Sequence, residues 1–186
     1  MDTIDFTQMK HGTRAEYEFL GGLWNDHIAA NMADSVLGLL KAMRGPKLGY
    51  KIDRYDHSLQ TATRAKADGA DEETVVCALL HDIGDSIAPE NHSAVAAAIL
   101  RPYISEKNHW IVAHHGVFQG TYFFHHIGRD RDARERYRGH LHFEACAAFC
   151  EDWDQNSFDP DYKTAPLSAF EPAVRRLFAR PPQAFA

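Results

Sequence analysis

Val75-Val76-Cys77-Ala78-Leu79-Leu80-His81-Asp82-Ile83-Gly84-Asp85 is an apolar run that ends in an adjacent histidine and aspartate. With Asp71-Glu72-Glu73 just before it, the run predicts a helix with an acidic first turn that closes at Gly84. Successive side chains on a helix point about 100° apart, so His81 and Asp82 cannot both face one core neighbour. At a helix end they can reach one point, such as a metal ion, if other segments supply more ligands. The competing reading is a plain C-terminus that sets a histidine near the last carbonyls. The rest of the chain decides between the two.

Working outward, a helix is expected over 56–67, with Asp56 as N-cap and Asp68-Gly69 as its exit. Pro89-Glu90-Asn91-His92 opens another through Leu100. Ser105-Glu106 begins a fifth, running through Trp110 and Ile111 to His114-His115, where Gly116 ends it. The aromatic stretch 117–126, bounded by glycines, reads as a structured loop, and helical periodicity returns over 130–153. Toward the N-terminus, Leu20, Leu23, Trp24, Ile28, Met32, Val36, Leu39, Leu40 and Met43 recur at helical steps. They predict one helix, or two joined near Asn31, stopped by Gly45-Pro46. The proline-rich tail wraps as turns around a short helix near 174–178. No segment reads as paired strands, so the fold class is all-α. No linker or repeat divides the chain, and a single domain over 1–186 is expected, with its central part at about 50–155.

Composition narrows the function. A chain of 186 residues with 45% hydrophobic content can bury its own core. A net charge of −6 argues against a nucleic-acid partner, and the basic residues of 129–138 are nearly balanced by Asp130, Asp132 and Glu135. The three cysteines form no CxxC pair and suit buried, reduced thiols. No apolar run is long enough to span a bilayer, and the acidic N-terminal stretch has no apolar segment. A cytoplasmic protein that binds a small molecule and neither membrane nor nucleic acid is therefore expected.

Histidine is the unusual residue, at 12 copies. Polar residues that interrupt otherwise apolar helices are His57, His81-Asp82, His92, His114 or His115, and an acid within Glu151-Asp152-Trp153-Asp154. Asp154 continues the stripe of Phe143, Ala147 and Cys150, whereas Asp152 falls off it. The Ile-x-x-His spacing from Ile111 selects His114 over His115. An inward carboxylate is costly unless paired or bound to metal. Imidazoles and carboxylates together suit first-row transition metals, and two metals bridged by Asp82 would use six ligands economically.

The phrases Asp56-His57-Ser58-Leu59-Gln60 and Ala78-Leu79-Leu80-His81-Asp82-Ile83-Gly84, with Asp154, resemble the HD-domain superfamily. With His92 and a further histidine, the chain looks most like its mixed-valence diiron oxygenase branch, of the phosphonate-cleaving type. The resemblance implies a compact all-α HD bundle holding two iron ions, Fe(II)/Fe(III), at His57, His81, Asp82, His92, His114 and Asp154. Manganese, zinc or another divalent metal is the alternative. It further implies an enzyme that uses O₂ to cleave the C–P bond of a small 1-hydroxyphosphonate. Tyr50-Lys51-Ile52-Asp53 matches the Tyr-x-x-acid of that branch, so Tyr50, Asp53 and Asp85 join Asp82 as candidate catalytic residues. Candidate substrate contacts are Arg54, His115, Phe118, Gln119, Tyr122, Arg129 and Arg131. An acid at Asp85 or Asp53 and the aromatic stretch would suit a quaternary ammonium head. The relatives carry a lysine four residues after the fourth histidine and an arginine three before the last aspartate. Phe118, counting from His114, and Glu151 occupy those positions here. A metal-dependent phosphohydrolase acting on a nucleotide or small phosphoester is the alternative function.

Overall fold

Side-chain caps decide where the long helices begin. The structure, a computed structural model, describes residues 2–183. Thr13 and Glu16 form a reciprocal capping box for α1 (Arg14–Ala42), which runs as one helix through Asn31. For α2 (Arg54–Ala67) the N-cap is Asp53, not the expected Asp56: its Oδ1 accepts from the Asp56 amide at 2.8 Å. Asp71 caps α3 (Glu72–Leu80) in the same way. His92–Leu100 forms α4, and Ser105 caps α5 (Glu106–Phe123). A short α6 (Phe143–Ala148) and α7 (Glu171–Phe178) complete the set. No strand occurs among the described residues, so the fold is all-α as expected. None of these helices is long and apolar enough to cross a membrane.

Every α3 residue from Thr74 to Leu80 is buried, as suits a helix that is apolar all round and lies at the centre. Around it pack α2, α5 and α7, with α4 on α5 and α7 also on α1. Only the C-terminal half of α1 enters the core, through Val36, Leu37 and Leu40; Leu23 and Trp24 stay exposed.

Three expectations are corrected. Gly116 does not end α5, which continues to Phe123, so most of the supposed aromatic loop is helix, followed by a 3₁₀ turn at Phe124–Ile127. Gly116 is a spacer instead: a Cβ there would lie 2.8 Å from Ser93 Oγ on α4. Residues 130–153 are not one helix either. A 3₁₀ turn (Ala133–Tyr137) and a loop precede α6, which passes into a π-helical turn at Phe149–Asp154. In that turn the Gln155 amide reaches back to the Cys150 carbonyl at 3.0 Å. Single π-helical turns are rare and cluster at functional sites.

Candidate metal centre

Five segments converge beside the C-terminus of α3. His57 comes from the first turn of α2, and His81 and Asp82 follow α3 directly. His92 starts α4, His115 lies in the middle of α5, and Asp154 closes the π-helical turn. Gly84 allows the close approach of α4: a Cβ there would meet the His92 carbonyl oxygen at 2.4 Å.

Each imidazole is oriented by a backbone carbonyl. His57 Nδ1 donates to Ser157 O, His81 Nδ1 to Ala78 O, His92 Nδ1 to Pro89 O and His115 Nδ1 to Val112 O, all at 2.8 Å. A carbonyl only accepts, so Nδ1 carries a proton and Nε2 is the nitrogen left to take a metal or a second proton. Those Nε2 atoms point at one another and at carboxylates. His57 and His81 Nε2 lie 3.2 Å apart, at 3.1 and 3.6 Å from Asp154 Oδ1.

Asp82 divides its oxygens. Oδ2 stands 3.5 Å from both His57 Nε2 and His81 Nε2. Oδ1 stands 3.1 Å from His115 Nε2 and 3.4 Å from His92 Nε2. His57, His81 and Asp154 form one buried group able to hold a metal ion; His81, Asp82 and His115 form an overlapping one.

The arrangement demands positive charge. Asp154 Oδ2 is buried with no hydrogen-bond partner, and a buried carboxylate needs a cation. Burial by itself would lower the His81 pKa, yet the Asp82 and Asp154 carboxylates hold it up at about 9. Both acids are pushed the other way: burial opposes their charge, but the surrounding imidazoles, His81 first, keep them well below the usual carboxylate range. A proton on His81 thus fills a place that a transition metal suits, given nitrogen and oxygen donors.

A cavity of about 290 Å³ opens over this cluster. Asp82, His92, His115 and Asp154 face it, and Tyr50, Arg54, Gln119, Tyr122, Phe123, Gln155 and Phe158 complete most of its wall. Arg54 Nε pairs with Asp85 Oδ2 at 2.9 Å, and its Nη1 lies 3.7 Å from Asp82 Oδ2. Burial disfavours that guanidinium, but Asp82 and Asp85 keep its pKa above the usual arginine value. Tyr50 stacks on Phe158 at 5.2 Å, and Phe158 on His57 at 4.4 Å.

Residues 54–146 match a family model described as HD domain. The chain belongs to the HD domain family. Members of this all-α family are mostly metal-dependent enzymes of the phosphohydrolase type, and the buried histidines and aspartates of this HD domain fit metal binding. The matched span holds His57, His81, Asp82, His92 and His115 and stops short of Asp154, which joins the cluster by geometry alone. No curated protein matches the chain.

Several expected site residues lie elsewhere in this HD domain. His114 is on the wrong side of α5: its ring stacks on Trp110 at 4.1 Å and its Nδ1 donates to Trp110 O. His115 takes its place because it lies one turn after both Ile111 and Val112, which are buried. Phe118 is a core residue at 0% exposure, against Trp110 and Phe143. Asp53 is occupied as a cap, its Oδ2 also accepting from Gly45 N at 3.1 Å, and it borders a neighbouring cavity with Asp85. Arg129 and Arg131 are exposed and line neither cavity, the chain after Gly128 (φ 73°) folding back so that Arg129 N bonds Phe124 O at 2.9 Å. Arg131 Nε bonds Thr121 O at 3.1 Å. Sequence reasoning missed Phe158, whose signal was an aromatic one turn past Asp154, and the Ser157 carbonyl, which has no signal in a side chain.

Proposed function

We propose that this HD domain is a non-heme diiron oxygenase that uses O₂ to cleave the C–P bond of a small 1-hydroxyphosphonate. The observation that carries the reading is the division of Asp82, one oxygen toward His57 and His81 and the other toward His92 and His115. His57, His81 and Asp154 would hold one iron, His92 and His115 the other, and Asp82 would bridge them. The pair, when bound, supplies one-electron and O₂ chemistry. The chain's own residues orient and enclose the substrate. Arg54, held in place by Asp85, offers its remaining N–H groups to phosphonate oxygens. Tyr50 and Phe158 cover the His57 side and limit access of water.

The family match supports a second reading, a metal-dependent phosphohydrolase in which the same donors hold metals that activate water and polarise a phosphoryl group. Anaerobic loading with iron followed by electron paramagnetic resonance separates the two. The oxygenase reading expects a coupled mixed-valence signal that shifts when a 1-hydroxyphosphonate is added. Metal-dependent release of phosphate from nucleotides without O₂ consumption would overturn it.

A further inference from the structure

We propose that Ser93 supplies the second metal of this centre with a further ligand, its side-chain hydroxyl. This deepens the functional reading above and rests on its second metal position, the one at His92 and His115. The two positions are unequally furnished. His57, His81, Asp154 and Asp82 Oδ2 surround the first, whereas the second has only His92, His115 and Asp82 Oδ1 among the imidazoles and carboxylates. Two donors about 2.1 Å from one ion, set at octahedral or tetrahedral angles, stand about 3.0–3.4 Å from each other. Around the first position His57 and His81 Nε2 are 3.2 Å apart, with Asp154 Oδ1 at 3.1 and 3.6 Å from them. Ser93 Oγ lies 3.5 Å from His115 Nε2, inside that observed range.

The hydroxyl is aimed there by its surroundings. Ser93 is the second residue of α4, directly after His92. A helical serine or threonine can return its hydroxyl to the carbonyl four residues back, as Ser35, Thr61 and Thr63 do at 3.0, 2.9 and 2.7 Å. For Ser93 that carbonyl belongs to Pro89 and accepts from His92 Nδ1 instead. The Ser93 hydroxyl turns to His115 on the neighbouring helix. The facing wall is cut to fit it: a Cβ at Gly116 would stand 2.8 Å from Ser93 Oγ and 3.7 Å from His92 Nε2. Glycine weakens the middle of a helix, and what α5 gains from this one is room for the hydroxyl beside both donors.

With Ser93 the second metal has four protein donors, and a six-coordinate ion keeps two positions for substrate or water. Gly116 lines the cavity, so those positions open toward it. The hydroxyl is neutral, whereas Asp154 brings a full charge to the first position. The first position therefore binds the more tightly and fills first.

The test is titration of the metal-free protein with Co(II), which accepts nitrogen and oxygen donors, followed by electronic absorption and elemental analysis. The wild type should take up two equivalents in two steps. Ser93→Ala should leave the first step unchanged and weaken the second about 10-fold, the lower end of what losing a group beside a metal costs. Ser93→Cys should add a thiolate-to-cobalt charge-transfer band that grows only with the second equivalent. The wild type, whose three cysteines are buried, is the reference for that band. A Ser93→Cys variant without the band would overturn the assignment and leave the two-metal reading standing. A Ser93→Ala variant that matches the wild type, or that weakens both steps alike, would do the same. Uptake of a single equivalent by the wild type would overturn the two-metal reading and this assignment with it.

Discussion

Removing metal from this HD domain and raising the pH should destabilise it progressively, because a single proton does the work of the missing cation. In the metal-free protein the His81 pKa is raised from 6.5 to about 9, against burial, by Asp82 and Asp154. At about 1.4 kcal/mol per pH unit, that difference corresponds to about 3 kcal/mol of stability. The sign follows from proton counting. Between pH 6.5 and 9 the folded state keeps a proton that the unfolded chain has released, so this stability is whole below pH 6.5 and is lost as pH rises toward 9. A bound metal occupies the same Nε2 lone pair, so the metal-loaded protein should show little pH dependence in this window, and metal affinity should rise with pH. Urea unfolding at pH 6.5, 7.5 and 9, with and without chelator, measures both slopes. A metal-free stability that is flat over the window would refute the reasoning, as would an unchanged slope in Asp154→Asn, which removes one of the charges that hold the proton.

Four substitutions test the rest of the site. On the proposed diiron reading His115→Ala should lose one of two metals by elemental analysis, whereas His114→Ala should keep its full metal content and lose only about 1 kcal/mol with the Trp110 stack. Gly84→Ala brings a Cβ against the His92 carbonyl oxygen, at 2.4 Å in the present geometry. The start of α4 must then move, so metal content should fall while circular dichroism keeps its helical signal. Phe118→Ala should cost about 3–5 kcal/mol in chemical denaturation, as a cavity in a packed core, and leave phosphonate affinity at the wild-type value.

The parts of this site that were legible in the sequence rest on local signals. Periodicity and acidic first turns mark α3 and the His81-Asp82 pair at its end, and the stripe through Cys150 points to Asp154. Where the sequence misled, the cause is a residue whose reason lies in another element. Gly116 reads as a helix stop, but it clears space for Ser93, and with α5 taken as ending there the spacing from Ile111 alone points to His114, whereas the buried face of the longer helix carries His115. Asp53 has the form of a catalytic acid and is a cap, because its position relative to the helix start is a matter of one turn. The π-helical turn leaves no mark in a 3.6-residue pattern, so its residues read as a continuation of regular helix. The split of the Asp82 oxygens depends on where α4 and α5 dock, which no local pattern encodes.

The Ser157 carbonyl that orients His57 bears on how the protein comes into being. That hydrogen bond joins positions 100 residues apart, and it sits three residues beyond Asp154 on the same strip of backbone. One docking event therefore delivers a ligand and aligns another. Contacts between distant parts of a chain form late, since loop closure must come first. During synthesis the segment up to α5 would emerge with its histidines in place but without a finished site. Loading with metal would then be among the last events of maturation, and a chain cut before Ser157 would fold much of its helical framework without acquiring the centre.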